Sequence, residues 1–267
     1  MRAFAFYIIV LPLVVAYDAT YAQDKSLRYV DFSGAAYCAD PLWGDNTINS
    51  WSCEVCKEYP GVQATAFHGS KSDANGFVAY DDVANEIIVS FSGTDPLSIR
   101  NWIEDLNFIK TDYPYCLGCQ VHEGFYHTFT SVSSTVLNLT QTLRTSFPSA
   151  TISITGHSLG AALAAHCAAE FAHQGIPFTT LYTYGMPRVG DEAFEQWYTT
   201  VVPGTFRVVH HKDPVPQLPP QNWGFHHMPY EVFYVKDYTD WTLCSAEGED
   251  PNCSDQYLVD LDVCKCI

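Results

Sequence analysis

The chain has 267 residues, 47% of them apolar, and a formal charge of −17. A surface that acidic repels nucleic acid and disfavours anionic membranes, and the apolar share suffices for the core of one α/β domain. No repeat, low-complexity run or Gly/Ser linker divides the sequence.

Met1-Arg2 is followed by an apolar run from Ala3 to Ala16 and by "ATYA", which ends at Ala22. A charged start, a short apolar stretch and small residues at Thr20 and Ala22 describe a secretory leader over residues 1–22. The run falls short of the roughly 20 residues that span a bilayer. The expected product is a secreted, extracellular chain over residues 23–267, folded as a single domain.

Ten cysteines in a secreted chain read as disulfides. Cys53 with Cys56 and Cys116 with Cys119 form C-x-x-C pairs, and Cys244 with Cys253 closes a short loop. The two C-x-x-C pairs lie much farther apart than the roughly 15–20 residues of a zinc ribbon, so no metal is expected. Cys38 bridged to Cys264 or Cys266 would tie the two ends of the domain together. Cys167 shares a helical row with Leu159, Leu163 and Phe171, as a buried free thiol would.

Residues 76–91 predict two strands around a polar turn. From Phe125 to Phe147 apolar residues recur every three or four positions, predicting a long helix closed by Pro148. "TISIT" at 151–155 is β-branched, and "LGAALAAHCAAEFAHQG" is an alanine-rich helix ending at Gly175. "FTTLYTYG" predicts a strand, "DEAFEQWYTTV" a helix capped by Asp191, and "TFRVVHH" another strand. Strand and helix in alternation mean βαβ units and a largely parallel sheet, with reactive groups at the carboxyl ends of the strands.

One such end is "TGHSLG" at 155–160. Gly156 and Gly160 let the chain turn sharply from strand to helix and present Ser158 outward. A serine hydroxyl becomes nucleophilic when an imidazole takes its proton, and a carboxylate fixes the tautomer of that imidazole. Asp213, at a strand end before Pro214, is the carboxylate candidate. His226 and His227 are the candidate bases, and spacing alone does not choose between them.

The segments "SGAAYC", "IIVSFSGT", "SIRNWIEDLNF", "CLGCQVHEGF", "ITGHSLGAALA", "YTYGMPRVGDEAF", "HHKDPVPQLPP" and "GFHHMPYEVFY" occur in this order. Together they resemble the class 3 (fungal-type) triacylglycerol lipases, a family of α/β-hydrolases that includes fungal lipases and type A feruloyl esterases. The resemblance covers nearly all of the chain beyond the leader. It implies an α/β-hydrolase fold with a mostly parallel central sheet and a short helical lid. Ser158 matches the nucleophile, Asp213 the acid and His227, three residues after Gly224, the base. Thr94, through its backbone N–H and hydroxyl, and the Leu159 N–H match the oxyanion hole.

In "SIRNWIEDLNF", Ile99, Trp102, Ile103 and Leu106 fall on one helical face, with Arg100, Glu104 and Asp105 polar. In the similar lipases this segment is a lid that rolls back at an oil interface. Feruloyl esterases share the C-x-x-C-x-V-H stretch but lack the I-x-N-W pattern, so the resemblance implies a secreted triacylglycerol lipase. Its substrate would be a lipid ester at an oil–water interface, hydrolysed through an acyl-enzyme by a monomer without cofactor. A phospholipase A1 or a carboxyl- or feruloyl-type esterase is the alternative. A non-catalytic secreted lipid-binding protein is the distant one.

Two departures stand out. "TDPLS", with Pro96, lengthens the approach to the lid, and the chain ends at "DLDVCKCI" without the family's D-H-x-x-Y-F-G segment. Sequons at Asn138 and Asn252 are candidate N-glycosylation sites.

Overall fold

The computed structural model describes residues 20–39, 47–69, 74–95, 98–202, 204–236, 238–245 and 247–257. Residues 1–19 of the expected leader, Pro96, Cys264 and Cys266 lie outside them. The bridge foreseen for Cys38 falls there too.

The β-rich runs form one eight-stranded sheet. Its strands are β1 (Val62–His68), β2 (Asn75–Asp81), β3 (Glu86–Phe91), β6 (Thr151–His157), β7 (Thr180–Tyr184), β8 (Thr205–His210), β9 (Glu231–Tyr234) and β10 (Trp241–Leu243), in that spatial order. From β3 to β9 neighbouring strands pair parallel, while β1, β2 and β10 pair antiparallel at the two edges. A separate short ribbon joins β4 (Lys110–Asp112) to β5 (Gln120–His122).

Both faces of the sheet are covered. Side chains alternate across a strand, so Val78, Ile87, Val89 and Phe91 pack with α3 (Glu123–Ser146) and α4 (Leu159–His173). Phe77, Ala79 and Ile88 pack on the other side with Tyr29 and Phe32 of α1 (Gln23–Ala35). In α3, Phe125, Phe129, Val132 and Val136 are buried as the periodicity predicts, followed by Thr140. α4 is buried nearly all round, Cys167 included, which its many alanines permit because they let a helix lie close to a sheet. The Asp191 carboxylate accepts the Phe194 N–H at 2.9 Å and caps α5 (Glu192–Val201), a bond that contributes about 1 kcal/mol.

The start of the described chain belongs to this core. Tyr21 is 6% exposed, its hydroxyl 2.8 Å from that of Tyr234 and its ring edge-on to Phe206 and Trp241. Cys53–Cys56, Cys116–Cys119 and Cys244–Cys253 are disulfide-bonded.

Candidate active site

β6 ends at His157, and the next residue turns the chain into α4. Ser158 does so with φ 56° and ψ −125°, a left-handed conformation that costs a non-glycine residue on the order of 1–3 kcal/mol. The turn closes because its neighbours have no side chains. A Cβ on Gly156 would stand 2.5 Å from the Gly160 carbonyl carbon, and one on Gly160 would stand 2.7 Å from the Ser92 carbonyl carbon. Ser158 is therefore held between the end of β3 and the first turn of α4, where the Leu159 N–H belongs to the unpaired amides of a helix start.

The Ser158 Oγ is buried and has no hydrogen-bond partner, and the same holds for Thr94 Oγ1. Gly93 brings the two segments together: a Cβ there would lie 3.1 Å from Ser158 Cβ. Two buried hydroxyls without partners carry unused hydrogen-bonding capacity, and Ser158 stands at a helix start that favours negative charge.

Asp213 follows β8. Its Oδ1 accepts the Val215 N–H at 3.0 Å. Its Oδ2 occupies the space over Gly185 (φ +56°), only 2.7 Å from where a Cβ would stand. Burial raises its carboxyl above the usual range, opposed by the Val215 N–H and then by the His157 and His210 imidazoles.

His227 is not where the resemblance puts the base. Its Nε2 lies 2.7 Å from the Pro216 carbonyl oxygen; a carbonyl only accepts, so this nitrogen carries the proton. Its Nδ1 is buried without a partner, and its backbone N–H donates to Glu249 at 2.8 Å. Burial, and after it the charges of Arg207 and Arg188, hold its pKa well below the ordinary histidine value, so an imidazolium is disfavoured there. No hydrogen bond links it to Ser158 or Asp213. The physical reason is non-local: the polypeptide around Glu249 and the Pro216 turn recruit His227 as a buried strut. All ten histidines of the chain are among the described residues, and none bonds the Ser158 hydroxyl. His226 donates its backbone N–H to Gly190.

Around that strut lies an ion network that sequence reasoning missed. Arg188, fully buried, donates to both oxygens of Glu249 at 2.8 Å and to Asp255 at 3.3 Å. Arg207, also fully buried, reaches Glu231 at 3.3 Å and the Gly248 carbonyl at 2.9 Å. Glu231 accepts both the N–H and the hydroxyl of Ser254. Residues 248–255 are thereby latched onto β8 and the loop after β7. The only sequence sign is two arginines in otherwise apolar strand contexts.

α2 (Ile99–Asp105) lies between the end of β3 and β4. Ile99, Trp102, Ile103 and Leu106 are half-buried, while Arg100, Glu104 and Asp105 are exposed. Trp102 stacks on Phe125, which stacks on the His122 ring. Asn138 is exposed on α3, and Asn252 is exposed in a turn where its side chain donates to Asp250.

The class 3 lipase profile matches residues 88–223, the stretch that holds Thr94, Ser158 and Asp213. The chain belongs to the class 3 lipase family. It is 33% identical to a secreted mono- and diacylglycerol lipase from Fusarium solani, over 82% of this chain and 67% of that protein. A lipase of Rhizomucor miehei is 32% identical over 86% of this chain, which spans only 63% of that relative's length. Lipase II from Rhizopus niveus superposes with a TM-score of 0.81 at 30% identity, over 90% of each chain. The α/β-hydrolase fold of this class 3 lipase thus stands on sequence and on structure. Among its described residues no helix is long and apolar enough to cross a membrane.

Proposed function

We propose that this class 3 lipase is a secreted serine ester hydrolase acting on acylglycerols at an oil–water interface. The observation that carries the reading is the strained Ser158, set beside Thr94 at the start of α4 and flanked by the amphipathic α2. An ester carbonyl placed there meets the serine oxygen as nucleophile. The Thr94 N–H and hydroxyl and the Leu159 N–H receive the developing oxyanion, each such donor worth about 3 kcal/mol in a transition state. Collapse of the adduct expels the alcohol and leaves the acyl group on Ser158, and water releases the fatty acid by the reverse sequence. Asp213 is the acid of the site. The secreted Fusarium relative supports both the export and the acylglycerol substrate. The half-buried apolar face of α2 supports a lid.

Among the described residues no imidazole bonds the Ser158 hydroxyl. An active site deprived of one member of its triad retains roughly 10³–10⁴-fold acceleration over water from the oxyanion hole and binding. This favours a second reading, a secreted lipid-binding protein with slow turnover. Hydrolysis of a short-chain triglyceride, followed as its concentration crosses the solubility limit with Ser158→Ala as control, separates the two. A rise at the limit, absent from the control, supports the interfacial lipase, and smooth saturation moves the reading to a soluble esterase. Lipid binding with equal background rates in both proteins supports the carrier.

A further inference from the structure

Three segments meet behind Ser158, and a single phenol joins them. Tyr37 lies in the 3-10 turn after α1 (Ala36–Ala39). Its hydroxyl packs closely against Gly93 and lies 2.6 Å from His157 Nδ1. The phenol and the neutral imidazole share one hydrogen bond, with Nδ1 as the ring atom that meets the hydroxyl. The point where a Gly185 Cβ would stand is 3.7 Å from His157 Nε2 and 2.7 Å from Asp213 Oδ2, and each group is an electrostatic partner of the other. A polar contact therefore joins Tyr37 to His157 behind Gly93, with the charge of Asp213 acting on the imidazole.

The chain of contacts leaves little slack. Gly93 lies so close to the elbow that a Cβ would stand 2.7 Å from the His157 carbonyl oxygen, with the Tyr37 hydroxyl nearer still. Burial pushes the Tyr37 phenol up to about 12 and lowers the imidazole of His157, so both stay neutral over the ordinary pH range.

We propose that Tyr37 and His157 are positioning residues of this site. The Tyr37 hydroxyl sets the distance between the Thr94 turn and Ser158, and the His157 imidazole anchors that hydroxyl from the elbow. Neither touches the reacting atoms. An oxyanion hole depends on its donors standing within a few tenths of an ångström of where the charge develops, so a hydroxyl that spaces the two donor segments acts on the rate without contributing a donor. The inference rests on the ester-hydrolase reading.

Tyr37→Phe removes one oxygen and leaves the ring. The test measures the second-order rate of Ser158 labelling by a fluorophosphonate, kcat and KM on a soluble short-chain ester, and the Tm, with His157→Gln and His157→Leu alongside. The expected result is a fall in labelling rate and kcat on the order of tenfold for Tyr37→Phe, with KM and Tm nearly unchanged. His157→Gln, which keeps a polar partner for the Tyr37 hydroxyl, should retain more activity than His157→Leu at comparable Tm. A Tyr37→Phe protein that labels at the wild-type rate overturns the inference alone. So do two His157 variants that lose activity only in step with Tm. A wild-type chain that labels no faster than Ser158→Ala overturns the hydrolase reading and this inference with it.

Discussion

The two sides of the candidate site are built from different materials. Around Ser158, β3, β6 and α4 are fixed by glycines, alanines and close backbone approach, with hydrogen bonds among neutral groups. Around Asp213 and His227, the polypeptide is fixed by two fully buried arginines and three carboxylates drawn from distant parts of the chain. The first kind of construction is local and leaves a side chain exposed to chemistry. The second is long-range and takes up whatever polar groups lie in its reach, the imidazole of His227 among them.

The sharpest way to break that contrast is to remove one residue from each side. Ser158→Ala should abolish fluorophosphonate labelling and lower ester hydrolysis to the background that the oxyanion hole and binding alone support. His227→Ala should lose stability yet keep its specific activity per folded molecule within about threefold of wild type, because the imidazole is bound to Pro216 and not to Ser158. A His227→Ala protein that folds and loses all activity would show that His227 leaves its strut position during turnover.

Next in size is the latch. Arg188→Met leaves Glu249 and Asp255 buried without their cation, and breaking such a pair costs about 3–5 kcal/mol. For a domain of this length that lowers Tm by about 10 °C, readable by calorimetry. On the other face, Arg28 pairs with Asp81 at 2.7 Å and with Glu86 but is 23% exposed. Arg28→Met should cost about 1 kcal/mol, and a larger loss there than at Arg188 would reverse the comparison.

The latch also titrates. Glu249 and Asp255 both lie against Arg188, and two carboxyls crowded on one cation titrate as a pair. Burial, and after it the Glu249 charge, raises Asp255 to about 7, while Arg188 counts foremost among the groups that hold Glu249 well below the carboxylate range against its burial. A raised acid binds its proton more tightly folded than unfolded, so its contribution is full below about pH 4 and is lost as pH rises to about 7. Glu249 acts oppositely: its contribution is present above its unfolded pKa and is lost in acid. Between pH 5 and 8 the pair therefore favours the acid end, by on the order of 1–2 kcal/mol after screening. Asp255→Asn should flatten the fall of Tm across that range, and an unchanged slope would locate it elsewhere.

At pH 7 the smallest effect belongs to the apolar side. His166 in α4 is buried with both ring nitrogens unpartnered, and burial, with His122 secondary, lowers its pKa to about 3. The unfolded chain takes up a proton below about pH 6.5 that the folded chain refuses, so His166 destabilises the fold as pH falls. His166→Leu should leave Tm level or slightly higher at pH 7 and hold it higher at pH 5, where the imidazole costs about 2 kcal/mol.

The same contrast explains what the sequence made legible. Gly156 and Gly160 flank Ser158 within five residues, and the apolar rows of α3 and the β-branched run of β6 are local patterns, so the elbow, the parallel sheet and the disulfides of Cys53, Cys116 and Cys244 could be read in advance. The role of His227 could not. Whether a loop histidine meets Ser158 or Pro216 depends on Glu249, 22 residues away, and nothing beside His227 encodes that contact. Tyr37 and His157 were equally silent, because a phenol and an imidazole 120 positions apart become a pair only when α1 closes over β6.

Tyr21 carries a last consequence, for processing. A leader cut after Ala22 would strip this ring from between Phe206 and Trp241 and leave Tyr234 without its hydroxyl partner. The loss of a buried aromatic costs about 3–5 kcal/mol. Export should therefore remove the apolar run and spare Tyr21, so that the mature protein begins upstream of it. N-terminal sequencing of the exported protein reads this directly: a terminus at Gln23 would show that the sheet closes without the ring.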